Sequence, residues 1–298
     1  MHDRLDDWDN NLPLSVRAAI EEQVGSVKRA EIVEGTTPGL AARVYAAIDD
    51  VFIRAVPTSS PAAELHRRER WAARHLPQGA PAPRLLWDLD VDHWHVSAFE
   101  LINDHTRYAD LRPDSTDLPL VMDALARLSQ TATVGRGRPV TEYANGLWAK
   151  GRHLLAPEAE LDAFDLYDAA LERFDMERLC EDDALLHCRL NHRKLLVKSG
   201  FVYVVGWYEA ACGLPWIDAA LLAPSLISEG HSPEQAGALL SAIPAWREAS
   251  AVQVAGLMAL WTLSHLYEAR NGPVQRHDTH VRLADAGRAW LAFQLSKL

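Results

Sequence analysis

The sequence has few cysteines, no excess of positive charge and no long uninterrupted apolar run, and each shortage removes a class of explanation. Three cysteines, Cys180, Cys188 and Cys212, are too few and too irregularly spaced for a disulfide framework and point to a reducing compartment. Lys and Arg number 30 against 41 Asp and Glu, a formal net charge of −11. That balance argues against non-specific nucleic-acid binding. The longest apolar stretch, Ala251 to Tyr267, is broken by Gln253, Ser264 and His265 and reads as a buried helix, not a membrane span. The N-terminus, Met1-His2-Asp3-Arg4-Leu5-Asp6-Asp7, is acidic and unlike a signal peptide, so a cytoplasmic protein without membrane contact is expected. What remains is an ordinary globular composition, 48% hydrophobic and 24% charged. The 298 residues suffice for one large domain or two lobes.

The pattern changes character near residue 100. Before it, short apolar runs separated by turn residues predict an antiparallel meander: Ala30–Val33, Ala42–Ala46, Val51–Val56, Arg84–Trp87 and Trp94–Phe99. An acidic turn from Asp88 to His93 splits the last two. One helix, Ser60 to His75, interrupts the strands, with Ser59 or Ser60 as its cap, and another, Leu14 to Val24, precedes them. After residue 100 helical spacing dominates: Leu118–Thr131, Glu142–Leu154, Glu158–Glu177, Trp216–Leu226, Pro233–Ile243, Ala249–Arg270 and Val281–Leu295, with a hairpin around Ser199-Gly200. The expected division is 1–102, β-rich, and 103–298, helical. A hinge near Phe99 to Asn103 implies a cleft, and clefts between lobes hold ligands.

The most informative segment is Leu185-Leu186-His187-Cys188-Arg189-Leu190-Asn191-His192-Arg193-Lys194-Leu195-Leu196-Val197, followed by Val202-Tyr203-Val204-Val205-Gly206-Trp207. It has the layout of a phosphotransferase catalytic loop and metal-binding segment. Together with Pro38-Gly39-Leu40-Ala41-Ala42-Arg43, Leu65-His66-Arg67-Arg68-Glu69, Pro81-Ala82-Pro83-Arg84-Leu85-Leu86-Trp87 and Gly213-Leu214-Pro215-Trp216-Ile217-Asp218, it resembles the aminoglycoside phosphotransferase family across nearly the whole chain. The resemblance implies an α+β, two-lobed protein-kinase-like fold: a small five-stranded antiparallel lobe with one helix, and a larger helical lobe with a catalytic-loop hairpin.

The family's chemistry needs a strand Lys on the nucleotide phosphates, a helix Glu that orients it, a catalytic-loop Asp, and an Asn and a second Asp on magnesium. The resemblance places Arg54, Glu69, Arg189, Lys194 and Gly206 at those positions. Arg and Lys offer only N–H donors and Gly206 offers no side chain, whereas magnesium takes oxygen ligands. Arg189 cannot accept a proton at any ordinary pH. Arg54, Arg189, Lys194 and Gly206 sum to about +3, where the family's Lys, Asp, Asn and Asp sum to about −1. At about 5 Å and an effective dielectric of about 20, one such cation repels Mg²⁺ by about 6–7 kcal/mol. Catalytic groups are therefore absent at Arg189, Lys194 and Gly206, and no metal site and no cofactor are expected, leaving magnesium-independent nucleotide binding as the residual option.

Other residues carry two readings each. Glu69 with Arg54 is a phosphate clamp or an ion pair between helix and sheet, the pair being preferred. Glu209 is the candidate for a displaced metal ligand. Gly35-Thr36-Thr37-Pro38-Gly39 either cradles a phosphate through backbone N–H groups or is a plain turn, with Gly35, Gly39, Phe99 and Glu100 as nucleotide-pocket candidates. His187 is architectural instead of a base. Cys180, His187, Cys188, His192 and Cys212 match no compact zinc spacing. Asp218 is expected to cap the helix it opens and to hold the catalytic-loop backbone, as the family implies. Arg54, Arg189 and Lys194 are expected to converge as an anion site, with Glu69 and Glu209 nearby. The function expected is a pseudokinase, a scaffold or accessory module that binds a partner protein, a peptide or an anionic small molecule. The alternatives are an active ATP-dependent phosphotransferase with atypical groups, and a protein that sequesters an aminoglycoside-like ligand unmodified.

Overall fold

A strand covered on both faces needs apolar residues at nearly every position, and the segment Val51–Pro57 supplies them. In the computed structural model, which describes residues 6–33, 39–102, 106–130, 137–156 and 160–298, this segment is the central strand of a five-stranded sheet. Strands β1 (Val27–Ile32), β2 (Leu40–Ala46), β3 (Val51–Pro57), β4 (Leu85–Val91) and β5 (Trp94–Glu100) run antiparallel in the order β1-β2-β3-β5-β4. Helices α1 (Asp6–Asn11) and α2 (Leu14–Val24) cover one face, where Trp8, Leu12, Val16, Ile20 and Val24 join Val51, Ile53, Ala55, Val96 and Ala98 in one apolar core. Helix α3 (Ala63–His75) covers the other, meeting Val56 through Ala62 and Ala63. Because successive side chains on a strand alternate faces, Arg54 points to the α3 side.

Two sequence expectations change here. The acidic turn from Asp88 to His93 is instead mostly strand. Trp87, Leu89 and Val91 alternate onto the core, while Asp88 and Asp90 alternate toward α3. There Arg70 reaches Asp88 at 3.1 Å and Asp90 at 2.8 Å, and Arg74 reaches Asp88 at 2.5 Å. The turn shrinks to Asp92 and His93, with φ of 47° and 62°, the geometry that suits a two-residue hairpin. The helix expected from Ser60 starts only at Ala63. Ser60 spends its hydroxyl on Ala62 N (3.2 Å) and its carbonyl on Ala63 N (2.9 Å), which builds a turn before the helix.

Contacts divide the chain into two units. One is Met1–Leu76, Ala82–Thr106 and Val204–Glu209; the other is Pro77–Pro81, Arg107–Tyr203 and Ala210–Leu298. The second unit is mainly helical: α4 (Leu118–Leu128), α5 (Val140–Gly151), α6 (Phe164–Glu172), α7 (Ile217–Ser228), α8 (Pro233–Leu240), α9 (Ala251–Asn271) and α10 (His277–Leu295). Its short strands are β6 (Arg107–Tyr108), β7 (Ala184–Leu186), β8 (Leu195–Lys198), β9 (Phe201–Val204, whose last residue belongs to the first unit) and β10 (Ala211–Gly213). Strand β7 pairs with β10, and β6-β8-β9 form a small sheet whose last two strands turn at Ser199-Gly200. Among the described residues no helix is long and apolar enough to cross a membrane.

The single helix expected over Glu158–Glu177 is shorter. Helix α6 ends at Glu172, and Asp175 accepts from Glu177 N (3.1 Å) to start a separate 3₁₀ turn, Met176–Cys180. The break lets Phe174 seat on α9. A Cβ placed at Gly256 of α9 would stand 2.1 Å from Phe174 Cγ, so glycine is required for that approach. Gly256→Ala is expected to cost at least about 1–3 kcal/mol through overpacking, read as a lower urea midpoint for the helical unit with its slope unchanged.

Candidate functional site

Arg54 sits on the central strand, paired across to Ala41 and Ser97, and Glu69 sits on the second inner turn of α3. Their side chains meet, Arg54 Nε donating to Glu69 Oε2 at 3.2 Å, with only 8% and 7% of the two residues exposed. An isolated charge so deep costs several kcal/mol, so each group depends on the other. The pairing is incomplete. Arg54 Nη2 is buried without a hydrogen-bond partner, although a guanidinium carries five N–H donors.

The other candidates of this unit have defined places. Gly39 has φ +106°, and a Cβ there would stand 2.8 Å from His66 Nε2, so the buried imidazole of α3 closes directly under the start of β2. Gly35 lies outside the described residues. Phe99 is buried on β5 opposite Phe52 and Leu85. Glu100 ends that strand, its amide donating to Arg84 O (2.8 Å) and its carboxylate accepting from Arg84 Nε (3.2 Å). Glu209, the candidate displaced metal ligand, lies 3.8 Å from Arg68 of α3. Gly206 also belongs to this unit, whereas Arg189 and Lys194 belong to the helical one.

In the helical unit the loop after β7 is held from behind. Asp218, in the first turn of α7, accepts from His187 N at 2.7 Å and from Cys188 N at 2.8 Å. The expectation that it caps its own helix is corrected: both oxygens are spent on the loop, and α7 has no side-chain cap. Burial pushes the Asp218 carboxyl up to about 6 against the opposing pull of the two amides. His187 is fully buried, and its Nδ1 accepts from Arg189 N at 3.2 Å, which leaves the proton on Nε2. Asn191 closes the next turn by accepting from Arg193 N at 3.0 Å. Lys194 ends that turn, its amide donating to Asn191 O at 2.8 Å.

Sequence reasoning passed over what surrounds Arg189. Its charge acts on His265 and Glu268 of α9 and on His280 of α10. Trp261, His265 and Glu268 recur at helical spacing on one face of α9, and Lys150 of α5 reaches Glu268 at 2.6 Å. His265 and Glu268 on an otherwise apolar helix were the available signal; the partner His280 lies on another helix and leaves no local trace.

The profile of the Phosphotransferase enzyme family matches residues 33–252. The chain belongs to this family. No curated protein sequence matches it. Among solved structures it is similar to an aminoglycoside phosphotransferase from Alicyclobacillus acidocaldarius, at 14% identity and TM-score 0.65, covering 96% of this chain and 97% of that one. It is also similar to the choline kinase LicA from Streptococcus pneumoniae, at 16% identity and TM-score 0.59, with 91% and 99% covered. A choline/ethanolamine kinase family protein from Mesorhizobium loti gives 18% and 0.58, with 96% and 99% covered. The fold is thus protein-kinase-like and α+β. The sequence resemblance puts Lys194 and Gly206 where the family holds magnesium. Lys194 and Gly206 bring no side-chain oxygen, Asn191 and Asp218 spend theirs on backbone amides, and Glu209 faces Arg68. Among the described residues no three His, Cys, Asp or Glu side chains gather to hold a metal ion. The residues present do not fit the ion.

Two outcomes follow from this geometry. Arg54→Met should cost about 3–5 kcal/mol in chemical denaturation by stranding Glu69, and Glu69→Gln added to it should restore much of the loss. The raised carboxyl of Asp218 favours the folded state most when protonated, and that contribution fades as pH rises from the unfolded value of 3.8 to about 6. The stability of the wild type relative to Asp218→Asn should therefore grow by up to roughly 3 kcal/mol as pH falls through this window. Above pH 7 the difference should be constant.

Proposed function

We propose that this chain is a catalytically silent member of the phosphotransferase family, a pseudokinase that works by binding an anionic ligand or an acidic segment of a partner protein or peptide. The observation that carries the proposal is the buried, unpartnered Arg54 Nη2 beside a Glu69 that already satisfies Nε. A buried N–H left without an acceptor costs about 1–3 kcal/mol, and an oxyanion accepting from it offsets that cost. The exchange of the family's acidic and amide positions for Arg189, Lys194 and Gly206 supports the same conclusion. Cations at Arg189 and Lys194 favour anions and disfavour the magnesium that phosphoryl transfer uses.

The second reading, an active phosphotransferase acting on a hydroxyl group with atypical groups, requires Glu209 to serve the metal. Its approach to Arg68 weighs against that role. Thermal-shift titration separates the two. ATP and inorganic pyrophosphate should stabilise the protein equally with and without Mg²⁺, approaching about 2.7 kcal/mol at a hundredfold excess over the dissociation constant. The gain should fall sharply in Arg54→Met. A stabilisation that needs Mg²⁺, or phosphoryl transfer from ATP to any hydroxyl acceptor, would overturn the proposal.

A further inference from the structure

We infer that the helical unit carries a second oxyanion site, for a phosphate or carboxylate group, formed by the His265–His280 imidazole pair together with Arg189. Every group in it belongs to the helical unit, whereas Arg54 belongs to the other.

The pair is built in place. His265 lies against Trp261 with ring centroids 3.9 Å apart, which fixes the tilt of its ring. His280 Nδ1 stands 3.0 Å from His265 Nδ1. At that distance one Nδ1 must carry the proton and the other its lone pair, because two N–H groups cannot face each other. The outward Nε2 atoms then differ, one a donor and one an acceptor. A single added proton enters at the free Nε2 and leaves the inner hydrogen bond intact. The face so formed presents two N–H donors and one positive charge, the chemistry an oxyanion needs.

Among the described residues, the charges acting on the pair are mostly positive. Arg189 from the loop, Lys150 from α5 and Arg276 from the turn before α10 face the pair, against one carboxylate, Glu268, which Lys150 already engages. Burial foremost, and then these cations, hold His265 down to about 3, and burial likewise lowers His280 although Glu268 opposes it. Arg189 is exposed and His280 is the less deeply buried of the two imidazoles, so a ligand approaches the pair from that side. A metal ion between the two Nδ1 atoms is the competing occupant, and the three neighbouring cations disfavour it.

The test is titration of the full chain, ¹⁵N-labelled at histidine, followed through the imidazole nitrogens by NMR. Sulfate stands for a phosphate group and acetate for a carboxylate, and neither changes charge between pH 6 and 8. The expected result is a saturable shift of His265 and His280 toward the imidazolium position with sulfate, acetate or both, the stronger naming the group preferred. Sodium chloride at equal ionic strength should not reproduce it. Affinity should fall about tenfold or more from pH 6 to pH 8, since one proton is bound with the anion. His280→Gln and Arg189→Gln should each weaken it by about tenfold or more, while Arg54→Met leaves it unchanged. Rings that respond to no anion, or to chloride equally, would overturn the inference, as would a response to Zn²⁺ alone. If sulfate stabilises the protein through Arg54 while both imidazoles stay still, this inference fails and the Arg54 site stands.

Discussion

The grip of Asp218 on two successive backbone amides is the constraint on which the functional loop depends. The carboxylate comes from the first turn of α7, a helix buried along most of its length, and so is held by apolar packing, not by its own hydrogen bonds. From that fixed point it sets His187 N and Cys188 N. His187 Nδ1 then takes Arg189 N, and Asn191 closes the turn that ends at Lys194. The positions of Arg189 and Lys194 are thus consequences of a buried carboxylate, whatever chemistry they perform.

This separation lets a phosphotransferase frame persist whatever side chains stand at Arg189 and Lys194. The groups that position the loop point inward to amides and packing. The cations Arg189 and Lys194 lie at or near the surface, where a change of charge costs the fold little. In the sheet-bearing unit the same logic keeps Glu69. With Arg54 buried beside it, neither can be removed alone without stranding a charge, which by itself is a reason for the pair to persist.

The sheet was legible because its signals are local. Alternation, turn residues and the two-residue spacing at Ser199-Gly200 named the strands and the hairpin. The segment Asp88 to Asp90 was misjudged because two acids in a row of three read as a turn until Arg70 and Arg74 of another element are seen to receive them. The helix through Phe174 was overextended for a like reason, since its break answers to Gly256 far along the chain. Arg189, Lys194 and Gly206 drew attention in the sequence because the family frame fixes what is expected there. The histidine pair was not, because His265 and His280 become neighbours only when α9 and α10 pack.

Cys188 has φ +60°, the left-handed region that a residue with a side chain adopts only at a cost of about 1–2 kcal/mol. The loop therefore does not form on its own local preference. It closes when the Asp218 carboxylate, distant in sequence, arrives with the docked α7. In folding, that places the loop among the late events, after the helical core has assembled. In the native state it makes the amides of His187 and Cys188 report on the seating of α7: their hydrogen exchange follows the opening of that helix and not the fraying of the loop that contains them.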